Sequence, residues 1–311
     1  MIVYEHLVQP FIDYAFMRRA LVACLALAFG GAPIGVFLVL RRMSLMGDAI
    51  SHAILPGAAI GFLVAGLSIW AMSAGGLAAG LSVALLAGLI SRTTLLREDA
   101  SLAGFYLMSL AFGVLIVSMR GSNVDLLHVL FGTILSVDDS ALVLVAGIAS
   151  LTLLVLAIIY RALVIDCFDP VFLPATMRGA GVFHFIFLTL VVLNLVAGFQ
   201  ALGTLMALGL MMLPAAAARF WAREVWSLIA VAIAVAFGSG VAGLLISYHY
   251  GLPSGPAIIL TAGAAYMLSV IAGRHSSLLG RYLHRPHFHN VGPLPDPHTA
   301  QDHVHVREST K

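Results

Sequence analysis

The spacing of the charges constrains this chain more than any other feature. No Asp, Glu, Lys or Arg occurs in residues 20–40, 100–119, 140–160, 179–218 or 225–273, and residues 43–91 hold a single one, Asp48. A helix needs about 20 mostly apolar residues to cross ~30 Å of hydrocarbon, where every backbone group must be satisfied internally. Candidate spans are therefore about 19–40, 44–67, 71–91, 101–119, 140–160, 183–199, 202–220, 226–247 and 255–273. The chain reads as an all-α, polytopic transmembrane helix bundle of eight or nine spans, with the division near Gln200–Gly203 resting on length alone. The first run is too long for the apolar core of a cleaved signal peptide.

Composition narrows the alternatives. Sixty-one per cent of the residues are hydrophobic and 10% charged, with a net charge of +2. A soluble domain carries roughly 25% charged residues and needs polar surface to coat its core. Nucleic-acid binding calls for clustered basic surface, and disorder for low hydrophobicity with high charge. Cys24 and Cys167 sit in separate contexts and suggest no disulfide framework.

Arginines in short loops orient such a bundle, because cytoplasmic loops carry them in excess. With nine spans, Arg41 and Arg42, Arg92 and Arg97, Arg161 and Arg178, Arg219 and Arg223, and Arg274, Arg281 and Arg285 all fall on the cytoplasmic side. The C-terminus is then inside and the N-terminus outside. Arg18 and Arg19 argue for an inside N-terminus, which eight spans would give. Spans rich in Gly and Ala, such as 57–61 and 74–80, point to close helix packing.

Polar groups within or beside the runs are the candidate site. In RRMSLMGDAISHAILPG, residues 41–57, Asp48 and His52 are four apart and share one helix face, with Ser51 beside them. Ionisable groups in a span usually face a pathway or a partner. A carboxylate and an imidazole both ligate divalent transition metals. The plain alternative is an interfacial Asp that caps a helix and a His satisfied in the core. Two ligands are few, and a homodimer axis would bring two Asp and two His together. Pro56 one turn later can break the helix and expose carbonyls.

A second group is Asp125 and His128, three apart in an outer segment that reads as a re-entrant or interfacial helix. A third is the inner connection 166–181, where Asp169 and Pro170 suit a helix start and Arg178 and Gly179 lie near its end. A short semi-apolar helix there suits docking into a partner's groove. Residues 1–274 read as the transmembrane domain and 275–311 as a disordered, His-rich cytoplasmic tail. The tail's His284, His287, His289, His298, His303 and His305 include two H-x-H pairs, a pattern that reads as loose metal binding. No phosphate-binding loop of the form G-x-x-x-x-G-K-[ST] occurs, and the single Lys is Lys311, so the chain is not read as an enzyme.

Residues 35–57, 124–132, 202–218 and 250–256 carry a resemblance to the membrane permease subunit of the zinc/manganese/iron uptake class of ATP-binding-cassette transporters, spanning about residues 15–273. The resemblance implies a type II importer fold in a bacterial inner membrane and a homodimeric permease. It also implies cytoplasmic ATPase subunits docking at the 166–181 loop and an extracytoplasmic metal-binding protein. Asp48 and His52 would coordinate the transported ion, with no permanently bound cofactor. The His-rich tail is not explained by the resemblance. The expected cargo is zinc first and manganese next, because histidine tracts favour zinc while manganese prefers oxygen ligands. The alternatives are an iron-chelate or cobalamin-type permease, an ATP-independent secondary transporter, and a metal sensor. Relay chemistry in a secondary transporter calls for more ionisable groups than these runs contain.

Overall fold

A long charge-free run has few ways to satisfy its backbone in lipid, and helix formation is the simplest. A computed structural model describes residues 8–66, 68–96, 98–119, 138–168, 180–275 and 277–279. Among them the order is α1 (Gln9–Asp13), α2 (Ala15–Leu40), α3 (Ser44–Ala65), α4 (Ile69–Thr93), α5 (Glu98–Met119), α6 (Asp139–Phe168), α7 (Ala180–Leu202), α8 (Thr204–Ala218), α9 (Val225–Tyr250) and α10 (Ser254–Ala272). Each of the nine apolar runs lies mainly in one of α2–α10. Among the described residues seven helices are long and apolar enough to cross a membrane, and two shorter apolar stretches, Ala100–Leu115 and Met206–Ala218, lie in α5 and α8. The chain is a multi-pass, all-helical membrane protein.

The division between α7 and α8 has a physical cause that length alone did not supply. Gly203 takes φ +86°, a conformation that breaks a helix and that side-chain-bearing residues resist. Elsewhere the helices outrun the apolar stretches. α2 starts at Ala15 and takes in Arg18 and Arg19, while α6 continues to Phe168 and takes in Arg161 and Asp166.

Two of those charges, Arg19 and Asp166, tie α2 and its C-cap residue Arg41 to α6. Arg19 Nε lies 2.9 Å from Asp139 Oδ1 at one end, and Arg41 Nη2 lies 2.5 Å from Asp166 Oδ2 at the other. The two helices therefore run parallel, bridged at both ends. Between the bridges Asn194 Nδ2 of α7 donates to Thr152 Oγ1 of α6 at 2.7 Å, and both side chains are buried. A Cβ on Gly30 of α2 would lie 2.6 Å from Asn194 Oδ1, so the three helices meet closely at this point. The sequence placed Arg41 among loop charges that set orientation; its side chain is in fact 5% exposed.

Small residues set the spacing of α3 and α4. A Cβ on Gly57 would run into the Gly75 carbonyl, and one on Gly61 into the Ala71 carbonyl. Packing and hydrogen bonding drive helix association in lipid, and small residues permit this approach. One buried cluster, including Phe37, Ile50, Ile54, Phe187 and Val191, joins α2, α3 and α7. A second, including Met17, Cys24, Ala236 and Ile258, joins α2, α9 and α10.

Candidate functional site

α3 has no side-chain cap at its start, so packing holds it in place. Met46, Ile50 and Ile54, four apart, are buried against the bundle. That packing turns Asp48 and His52 outward on another face, with side chains 54% and 41% exposed. Asp48 Oδ1 and His52 Nε2 stand 3.6 Å apart, too far for a hydrogen bond. Two ligands about 2.1 Å from one ion at a tetrahedral angle are separated by roughly 3.4 Å. The gap thus suits a bridging cation without large rearrangement.

Pro56 interrupts the hydrogen bonding of α3 one turn after His52. It lies inside α3 and has no N–H, so the His52 carbonyl four residues earlier lacks its usual helical donor. Ser51 is not part of the pair. Its hydroxyl is buried and donates back to the Asp48 carbonyl at 2.8 Å.

α5 lines the same region, a relationship that the sequence did not reveal. The Tyr106 ring stacks on the His52 ring with centroids 6.1 Å apart and planes 27° from parallel. Ser109 Oγ donates to the Ala53 carbonyl at 3.4 Å. A Cβ on Gly113 would lie 2.5 Å from Pro56 Cβ. Residues 106, 109 and 113 follow helical spacing, so one face of α5 runs along 52, 53 and 56 of α3. The sequence signal was present as a Tyr followed by small residues at helical spacing. It acquires meaning only once the α3–α5 pairing is known.

Asp125, His128, Asp169, Pro170, Arg178, Gly179 and the tail residues His284, His287, His289, His298, His303 and His305 lie outside the described residues. Among the described residues no group of three or more His, Cys, Asp or Glu comes together to hold a metal. His184 lies in α7 and contacts Arg41. Pro214 lies inside α8, and His249 Nδ1 is 2.8 Å from the Leu245 carbonyl near the end of α9. Cys24 and Cys167 are free thiols.

Comparisons with known proteins agree with this architecture. The ABC 3 transport family matches residues 13–273. The chain is 31% identical over 265 residues to the manganese import system permease protein ScaB of Streptococcus gordonii, covering 85% of this chain and 94% of that protein. It is 33% identical over 272 residues to the manganese transport system membrane protein MntC of Halalkalibacterium halodurans, covering 87% and 92%. Among solved structures, PsaBC from Streptococcus pneumoniae in complex with Fab superposes with a TM-score of 0.78 at 29% identity, covering 91% of this chain and 100% of that one. The match runs through α2–α10 and includes the helix that carries Asp48 and His52, and on it the chain belongs to the ABC 3 transport family.

Proposed function

We propose that the protein is the permease subunit of an ATP-driven importer of divalent transition metal ions, and that Asp48 and His52 hold the ion in transit. The observation that carries this reading is the outward-facing pair on α3, 3.6 Å apart, with the His52 ring stacked on Tyr106. A carboxylate and an imidazole from one chain fill two positions. A second copy across a two-fold axis supplies two more, which suits a homodimeric permease. Such a site must bind weakly enough for the ion to leave.

Energy comes from separate ATPase subunits, since the sequence lacks a phosphate-binding loop. We place them against the connection between α6 and α7, which carries Asp169, Pro170, Arg178 and Gly179. A metal-binding protein outside the cell delivers the ion near Asp125 and His128. Nine passes, α2–α10, put the C-terminus in the cytoplasm of a bacterial inner membrane. Pairing with Asp139 offsets Arg19, one of the two arginines that argued against an outer N-terminus. The tail from residue 275 is then cytoplasmic.

Manganese comes first among the cargoes. Its support is that the relatives ScaB and MntC are manganese transport proteins, together with the oxygen donor at the site, the Asp48 carboxylate. Zinc is the second reading, favoured by the H-x-H pairs of the tail. The test is uptake of manganese, zinc and iron by vesicles holding the permease with its ATPase. Saturable manganese uptake that requires ATP supports the proposal, and uptake independent of the ATPase contradicts it. Zinc outcompeting manganese, with that preference lost on deletion of residues 275–311, reverses the order of the two metals.

A further inference from the structure

α6 ends at Phe168 and α7 begins at Ala180, so two neighbouring helices present their ends on the same side of the bundle. A single side chain meets both. Arg41 Nη2 lies 2.5 Å from Asp166 Oδ2 on α6, and Arg41 Nη1 donates to His184 Nδ1 on α7 at 3.3 Å. The guanidinium carbon stands 4.6 Å over the Phe187 ring, also on α7. Nη2 sits beside the carboxylate as an ion contact without an aligned hydrogen bond, and Nε has no acceptor among the described residues.

Arg41 also closes α2. The Arg41 amide donates to the Phe37 carbonyl at 3.0 Å and the Met43 amide to the Leu38 carbonyl at 2.9 Å, which fixes the corner to the end of α2. Arg42 takes φ +58°, the one non-glycine positive φ among the described residues, and three residues after Arg41 the chain has entered α3. Asp48 and His52 occupy the next turns of α3.

A buried ion pair is weak support for stability, since apolar residues of similar volume commonly hold a fold as well. A planar guanidinium, however, can grip a carboxylate, a ring nitrogen and an aromatic face together, which an ammonium cannot. We infer that Arg41 is a positioning residue that transmits movement of the α6 and α7 ends to the α3 segment carrying the ion site. The inference rests on the reading above, in which Asp48 and His52 hold the ion and the α6–α7 connection faces the ATPase.

The test uses the full permease reconstituted with its ATPase subunits in vesicles. Manganese taken up per ATP hydrolysed is measured for wild type, Arg41→Lys and Asp166→Asn, with manganese binding to the solubilised permease measured in parallel. The expected result is ATP hydrolysis within about twofold of wild type and uptake per ATP lower by roughly tenfold in both variants, a usual size for coupling between sites. Manganese binding stays at the wild-type level in both. A wild-type ratio of uptake to ATP in both variants overturns the inference. Loss of assembly in both also overturns it, since Arg41 is then a folding residue. Failure of the underlying reading is seen separately, as wild-type manganese binding in Asp48→Ala.

Discussion

The Asp48 carboxylate and the His52 imidazole face each other across 3.6 Å on consecutive turns of α3, turned away from the core that Met46, Ile50 and Ile54 fill. The separation exceeds a hydrogen bond and comes near the span of two ligands on one ion. Helix periodicity produces this arrangement. Four residues make slightly more than one turn, so packing one face fixes where the other points.

Tyr106 holds one member of that pair. Its ring stacks on His52, and an aromatic pair is worth about 0.5–1.5 kcal/mol beyond its buried area. Tyr106→Ala is expected to lower manganese uptake at limiting concentration by roughly two- to tenfold, whereas Tyr106→Phe stays near wild type. Uptake measured over a concentration series checks both. Equal rates in the Ala and Phe variants would remove Tyr106 from the site.

Two glycine-to-alanine changes are expected to differ in their effect on stability. A Cβ on Gly57 meets the Gly75 backbone, which cannot move aside as a side chain tip can, whereas a Cβ on Gly88 in α4 meets nothing within 4 Å. Gly57→Ala is expected to destabilise by about 1–3 kcal/mol through overpacking. Gly88→Ala is expected to be neutral or to stabilise by up to about 1 kcal/mol, through helix propensity. Thermal melts in detergent compare the two.

Asp138 caps α6. It accepts from the Ser140 hydroxyl at 2.6 Å and from the Ala141 amide at 2.9 Å. These bonds, the Ser140 one foremost, hold its carboxyl below the usual carboxylate range. A depressed folded pKa contributes stability that is present above the unfolded value, about 3.9, and is lost as the pH falls through the folded value. Asp138→Ala is therefore expected to lower stability by about 0.5–1 kcal/mol at pH 7. The gap to wild type should shrink in melts taken below about pH 4. A gap that does not change with pH would contradict the capping role.

Much of the architecture was legible because charge-free runs in lipid leave the backbone little choice. The Asp48–His52 pair was legible for a similar reason, since spacing of four is a local property of a helix. Contacts between distant parts of the chain were not. Arg41 looked like one of many loop arginines because its partner, Asp166, lies at the far end of another helix. Tyr106 followed by small residues carried no meaning by itself in a largely apolar stretch, and its role appears only where Gly113 lets α5 close on Pro56. The Gly203 break was placed by length, while its cause is a backbone angle.

In the proposed function Asp48 and His52 carry the ion. Its most direct test is ATP-driven uptake of radioactive manganese into vesicles holding the permease with its ATPase, compared among wild type, Asp48→Ala and His52→Ala. Both side chains are partly exposed, so both variants are expected to assemble normally. Uptake in each is expected to fall to background while the complex remains intact. Wild-type uptake in both would contradict that role.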